Sequence, residues 1–435
     1  MGTLPAGPSS ILGPLARYLV DPYGVFPACA RRYGDPFHLP IPTTRGTVVT
    51  GDPEGIREVM TADPDTFEPF KTEALEHVMG RTSIFGLRGP AHREARRLVG
   101  PCLHGAGLRR HVATMGRVVR EHTRDLAPGT RFSLEARAKR IALEIIVRTI
   151  FGVTAPARVD VFRHAIDEGL DAVGPEVLYI RWLRRDFGGF GPWSRAKRMI
   201  RRLMRLIDEE IAARRATPGG DDVLGQLLAV QTEDGASLED EEIRDKLYDL
   251  LVAGYETSRG ASAWAAYEIA RHPGVRDRLL AELAPLGADP DPEALLALPY
   301  LEAVCHETLR RHPMLVLVSR RLAAPFTLRG RRLEPGLAVS ISIGLAHFRE
   351  AAYPDPRAFR PERFLSRSFS PWEFLPFGGG AKRCIGAAYG LCEMKVLLGT
   401  LFARHRPALA RRWPVRPAPR AITVAPAGAI EMVAR

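Results

Sequence analysis

At 435 residues, with 46% hydrophobic and 26% charged residues, the chain has the balance of a globular protein able to bury a substantial core. That excludes disordered, collagen-like and low-complexity architectures, and no run of about 20 apolar residues could span a bilayer. The net charge of +12 rests on 62 basic residues, 56 of them arginines spread along the whole chain, unlike the clustered stripe of a nucleic-acid binder.

In chain order, residues 1–65 are rich in Pro and Gly and suggest short β pieces such as Thr47–Thr50. The apolar stretch Ile11–Val20 is broken by Pro14 and Arg17 and lacks the order of a signal peptide, so a soluble, cytoplasmic protein is expected. From about 91 to 285 the periodicity is helical, in Ala91–Gly100, Ile141–Ile150, Ala196–Arg215 and a long stretch from about Glu239 to Arg271. The densest basic run, Arg181 to Arg205, reads as a solvated helical face, with an acidic or carrier-bound substrate as the alternative. Residues 313–345 turn β-like around Glu334-Pro335-Gly336, and prolines thicken from 354 to 376 in an irregular segment. A last helix is expected from about Ile385 to His405, followed by Pro-punctuated strands. With no repeats and no long linker, one continuous domain is expected over 1–435, mainly α with a minor β part near 35–60, 313–345 and 415–435.

The five cysteines (Cys29, Cys102, Cys305, Cys384, Cys392) are odd in number and scattered, with no zinc-like spacing. One is set apart by its surroundings, Phe377-Gly378-Gly379-Gly380-Ala381-Lys382-Arg383-Cys384-Ile385-Gly386. Glycines let the backbone take unusual conformations and approach a flat ligand closely. A helix start stabilises a thiolate through its free N–H groups and dipole. Such a soft anionic sulfur suits an axial ligand of haem iron.

This segment resembles the signature of the cytochrome P450 family, the haem-thiolate monooxygenases, Phe-x-x-Gly-x-(Arg or His)-x-Cys-x-Gly. Phe377, Gly380, Cys384 and Gly386 match, and Lys382 departs at the position of a propionate-binding Arg or His, keeping the charge but losing the fork of donors. Three further matches follow the family's order. Gly89 to Arg97 is similar to an early helix whose His92 and Arg96, four apart, hold a haem propionate. Ala253-Gly254-Tyr255-Glu256-Thr257-Ser258 resembles the oxygen-activating turn of the long helix, where Gly254 would make room for dioxygen and a hydroxyl bonded one turn back would open the helix. Glu307 and Arg310, three apart, with Arg363 of Pro361-Glu362-Arg363-Phe364, resemble the buried scaffold behind the haem.

The resemblance spans roughly residues 20 to 430 and carries further expectations. The fold would place haem b (iron protoporphyrin IX) between the long central helix and the Cys384 loop. Cys384 would be the iron ligand. His92, Arg96, Arg320 (with Arg321 as its alternative), Lys382, Phe377, Gly378, Gly386 and Ala253 would line the cofactor. Glu256 and Thr257 would serve as proton relay and oxygen-positioning group. A monooxygenase would insert one atom of O2 into a C–H or C=C bond of a hydrophobic substrate, in natural-product or lipid and terpenoid metabolism. The alternatives are a non-catalytic haem sensor or carrier, or a peroxide-driven enzyme, neither needing the acid–threonine pair.

No flavin or nicotinamide fingerprint is present, so electrons are expected from a separate ferredoxin and its reductase, steered by Lys382, Arg383 and Lys395. The protein is expected to be a monomer with no nucleic-acid or membrane partner. The pocket is expected from about Phe70 to Leu87, from 164 to 195, from the long helix, from Met314 to Val318 and near Pro426, with Leu315, Val316, Leu317 and Val318 favouring a greasy substrate.

Overall fold

The computed structural model describes residues 4–41, 44–69, 78–174, 181–185, 187–232, 235–411 and 414–435. Its axis is a 32-residue helix, Asp240–Arg271, roughly 48 Å long at the usual rise per residue. The sequence starts that helix with a capping box, in which the Glu239 N–H donates to the Glu242 carboxylate at 3.3 Å. Asp240, Glu241 and Glu242 then complement the positive dipole end. From Ser258 to Ile269 every residue is buried, the pattern of a helix with protein on all sides. Around it pack the helices Leu134–Thr149, Pro192–Ala216, Pro299–Arg311 and Ala387–His405.

The largest sheet has five strands, in the order Phe37–Leu39, Thr47–Thr50, Ala338–Ser342, Leu317–Leu322, Phe67–Pro69. Only Thr47–Thr50 and Ala338–Ser342 run parallel, Val48 facing Val339. The sheet thus ties residues near the N-terminus to residues some 290 positions later. Two hairpins, Phe326–Leu328 with Arg331–Leu333 and Pro417–Arg420 with Thr423–Pro426, and a three-stranded sheet complete the β part.

The helical expectations hold with their ends moved by a few residues. Ala91–Gly100 lies in Gly89–Leu103, Ile141–Ile150 overlaps Leu134–Thr149, and the last helix begins at Ala387. In the N-terminal stretch Thr47–Thr50 is a strand as expected, and three nine-residue helices, Leu12–Val20, Val25–Tyr33 and Pro53–Thr61, accompany it where Pro and Gly announced no helix. Pro53 is a helix starter here, since a first-turn residue needs no intrahelical N–H bond, and the Asp52 carboxylate caps Gly55 N–H at 3.1 Å. Pro156, Pro192, Pro273, Pro292 and Pro299 are used in the same way.

Candidate active site

Cys384 is the one exposed cysteine of the five; Cys29, Cys102, Cys305 and Cys392 are buried. Burial pushes the Cys102 thiol up to about 11 and those of Cys305 and Cys392 up to about 12, so these pack as inert apolar groups. Cys384 is accessible by surface area, yet protein crowds its sulfur enough that burial raises its thiol too. Against that rise act the Gly386 N–H, Arg96 and Arg383. These three are the groups on hand to stabilise a thiolate.

The loop that carries Cys384 is held from both ends. The Cys384 N–H donates to the Phe377 carbonyl at 2.9 Å, and Gly378 turns the chain at a φ of +64°. Gly380 takes the same left-handed φ, and a Cβ there would lie 2.3 Å from the Met60 carbonyl oxygen. Gly379 is pressed against the Met60 sulfur in the same way. Gly386, which caps the Ala387–His405 helix, is different: a Cβ there would meet no atom of this chain within 4 Å. Packing within the chain explains Gly379 and Gly380 but not Gly386, whereas a flat ligand laid against the loop does.

Basic groups converge on the loop. His92 is buried in the Gly89–Leu103 helix, and burial, with the Lys382, Arg96 and Arg93 charges, pushes it down to about 4. Arg96 is half-buried one turn on. Lys382 donates to the Leu87 carbonyl at 2.9 Å, a bond no motif announced. On the strand Leu317–Leu322, Arg320 reaches the Val59 carbonyl (3.2 Å) and the Gly379 carbonyl (3.5 Å), and its guanidinium lies 5.3 Å from the Phe67 ring. Its alternative, Arg321, is exposed, as strand alternation requires. So many positive groups around one loop fit an anionic ligand with two carboxylates.

On the long helix, Thr257 Oγ1 donates to the Ala253 carbonyl at 2.7 Å and lies 3.4 Å from the Gly254 carbonyl. Ala253 itself is exposed. An added Cβ at Gly254 would lie 3.4 Å from Ile146 Cδ1 of the Leu134–Thr149 helix, an ordinary contact. Glu256 is ion-paired with Arg259 at 3.0 Å, which in turn lies over the Tyr255 ring. The sequence reading also missed Glu393, wholly buried beside Ser258. Burial pushes its carboxyl up to about 8, and Ser258 lowers it only partly, without a hydrogen bond of normal geometry. The one sequence signal was a glutamate inside an apolar helix.

Behind the loop, Glu307 and Arg310 are fully buried. Glu307 accepts from Arg310 Nε at 2.7 Å and Nη2 at 2.9 Å, from Arg363 Nε at 3.1 Å and from the Arg360 N–H at 2.8 Å. His347 links this cluster to the cysteine loop. Its Nδ1–H donates to the Arg310 carbonyl at 3.1 Å, so its Nε2 is free to accept the Leu375 N–H at 3.0 Å, two residues before Phe377. Burial, aided by the Arg310 charge, pushes His347 down to about 3. A histidine neutral when folded and charged when unfolded stabilises the fold above its unfolded pKa of 6.5, and that contribution fades as pH falls towards 3. His347→Phe is expected to lose about 1–3 kcal/mol at pH 7.5 by orphaning the Leu375 N–H. Its denaturant-unfolding stability should then fall less steeply between pH 6.5 and 5 than that of the unchanged protein. Equal slopes would place the acid sensitivity elsewhere.

One expectation changes on this geometry. Lys395 is buried and bonded to Glu302 at 2.7 Å, so it is no steering charge; Lys382 and Arg383 are exposed. Val316 is buried in the cluster around Val25 and Phe37, while Leu315, Leu317 and Val318 are only partly buried against the cores. Of the expected pocket wall, residues 70–77, 175–180 and 186 lie outside the described residues. Among the described residues no helix is long and apolar enough to cross a membrane.

The cytochrome P450 family model matches residues 5–427. The chain belongs to the cytochrome P450 family. It is 32% identical over 407 residues to cytochrome P450 135B1 of Mycobacterium tuberculosis, covering 92% of this chain and 85% of that protein. It is 33% identical to cytochrome P450 135A1 of the same organism, covering 87% and 83%. The fold matches the retinoic-acid-bound cyanobacterial CYP120A1 with a TM-score of 0.86 at 21% identity over the full length of both chains. The haem domain of cytochrome P450DA matches with the same TM-score at 22% identity, over 99% of this chain and 97% of that one. This P450 is therefore a haem-thiolate monooxygenase with haem b as its cofactor.

Proposed function

We propose that this P450 inserts one oxygen atom from O2 into a C–H or C=C bond of an apolar small molecule, with Cys384 as the iron ligand. The observation that carries this assignment is the single exposed cysteine, delivered by a glycine loop into a ring of basic groups. Arg96, Arg320, His92 and Lys382 would bind the haem carboxylates, while Phe377, Gly378 and Gly386 shape the loop and Ala253 presents a small side chain opposite. Bound haem, given two electrons, activates O2, and two protons are consumed as one oxygen atom leaves as water. The electrons come from a separate ferredoxin and reductase, and the whole chain serves as one haem domain. We place the protein in the cytoplasm, as a monomer, in natural-product or lipid metabolism.

The protein's own contribution is proton control and positioning. Thr257 Oγ1 holds its proton on the Ala253 carbonyl. A carbonyl that accepts from a side chain shares its lone pairs with the helix ladder, which loosens that turn and lets the hydroxyl rotate to serve a ligand. Glu256 is half-exposed and reaches solvent, but it must leave Arg259 before it can carry a proton inward. An apolar substrate is favoured by exposed Phe85 and Ala253.

Thr257→Ala tests this reading. Haem content should be unchanged, while product formed per reductant consumed falls about 100-fold, the scale of one lost proton-handling group, with peroxide released instead. Unchanged coupling would show that Thr257 handles no proton in the reaction, and product formed from hydrogen peroxide with no reductant added, equally in both proteins, would favour the peroxide-driven alternative.

A further inference from the structure

The long helix carries three carboxylates that oxygen chemistry does not use, spaced one turn apart. Glu241, Asp245 and Asp249 each grip the next residue of a crossing segment. Arg81 Nη2 lies 3.5 Å from Glu241. The Thr82 N–H and Oγ1 donate to Asp245 Oδ2 at 3.0 and 2.9 Å. Ser83 Oγ donates to Asp249 Oδ1 at 2.7 Å, and the Ile84 N–H donates to Asp249 Oδ2 at 2.6 Å. Asp245 and Asp249 are only 1% and 2% exposed, so their desolvation must be offset by these bonds. The approach is close: Gly80 has a φ of +85°, and a Cβ there would lie 2.5 Å from Asp245.

The ridge of residues four apart continues to Ala253 and Thr257, turning about 40° around the helix at each step. The segment's other end is fastened to the cysteine loop, where Lys382 donates to the Leu87 carbonyl. Residues 82–87 therefore run as a strap from the long helix to the Cys384 loop, the two elements that face the cofactor. Ile84 is buried, whereas Phe85 is 48% exposed.

We infer that Asp249 is a positioning residue, pinning this strap as a wall of the ligand pocket and so setting how easily bulky ligands reach the haem. Charged neighbours do not undo the pin. Buried Lys246 lies beside Asp249, while Arg244 is shared between Asp245 (3.5 Å) and Asp208 (3.4 Å). Burial pushes the Asp249 carboxyl up to about 7. A protonated Asp249 can still donate to Ser83 Oγ and accept from the Ile84 N–H, so the strap stays pinned on both sides of neutrality.

The inference rests on the haem-thiolate reading only for its optical readout. In the haem-loaded protein, hydrogen exchange of the 78–87 peptide would be compared for Asp249→Ala, Asp249→Asn and Ser83→Ala, together with Soret-shift kinetics for imidazole and a bulky triarylmethyl azole. Asp249→Ala should raise exchange and speed bulky-azole binding about tenfold or more, leaving imidazole within about twofold, as expected for two lost bonds to a charged acceptor. Asp249→Asn can accept from Ile84 and donate to Ser83, and should stay near the unchanged protein. Should Asp249→Ala fail to fold, Ser83→Ala removes one bond from the strap side and should show an intermediate effect. Unchanged exchange and unchanged bulky-azole binding in the folded variants would overturn the inference, and so would equal changes for both azoles. A missing red-shifted CO band in the unchanged protein would sink the haem-thiolate reading instead, with the exchange result still deciding the strap.

Discussion

Replacing Cys384 by serine is expected to abolish the strongly red-shifted Soret band of the reduced, CO-treated protein. The band requires a thiolate on the iron, and a serine hydroxyl, far harder to deprotonate and a hard oxygen donor, cannot supply one. No other cysteine can take over. Cys102, Cys305 and Cys392 are buried, with thiols pushed up to about 11 or 12, and Cys29 sits in the small core near the N-terminus. The loop itself should survive, because the backbone N–H of residue 384 still bonds the Phe377 carbonyl and Gly379 and Gly380 still pack on Met60. The expected variant is thus folded and without a P450 spectrum. Retention of the band in Cys384→Ser would mean that another residue ligates the iron.

The second large effect is expected behind the loop. Arg310→Leu leaves the Glu307 carboxylate, fully buried, with one guanidinium partner fewer, and also orphans the His347 carbonyl, while the Ala358 carbonyl keeps Arg363 Nη2 at 3.3 Å. Breaking a buried pair from one side costs about 3–5 kcal/mol, and the low end is expected here because Arg363 still holds the Glu307 carboxylate at 3.1 Å. Against a total stability of about 5–15 kcal/mol this is enough to strip most of the folded, haem-retaining population. Glu307→Leu combined with Arg310→Leu should cost less than the sum of the two single changes, since the charge and its partner leave together. Arg363 would still hold the Pro354 and Asp355 carbonyls in the double variant. Chemical unfolding followed by haem absorbance gives both numbers. A loss under about 1 kcal/mol in Arg310→Leu would show that water re-solvates Glu307 and that the cluster is no scaffold.

Much of the site was legible because its chemistry is local in sequence. The glycines around Cys384 lie within one loop, Thr257 bonds a carbonyl four residues back, and Glu307 meets Arg310 three residues on. Such spacings are set by backbone geometry and survive whatever the rest of the fold does. The helices were legible for the same reason, with their ends shifted where capping groups decided them. The N-terminal helices were not, because Pro53 starts a helix or ends one according to neighbours that composition does not reveal.

What the amino-acid sequence determined by itself is the chemistry: a soft sulfur on a glycine loop, an acid–threonine turn and basic groups enough for a dianionic cofactor. What only the tertiary structure decided is which equivalent-looking residues do which job. Lys395 reads as a surface charge until Glu302 is found beside it, and Lys382 reads as a weakened motif until Leu87 is found beneath its ammonium group. Asp245 and Asp249 belong to none of the sequence motifs, yet they are buried under a segment 163 to 166 residues away in sequence. His347 lies 37 residues from Arg310 and 28 from Leu375, and its neutral form joins the two. A charge is favourable or ruinous according to its desolvation and its partners. Both are set by contacts across long sequence separations, to which local pattern is blind.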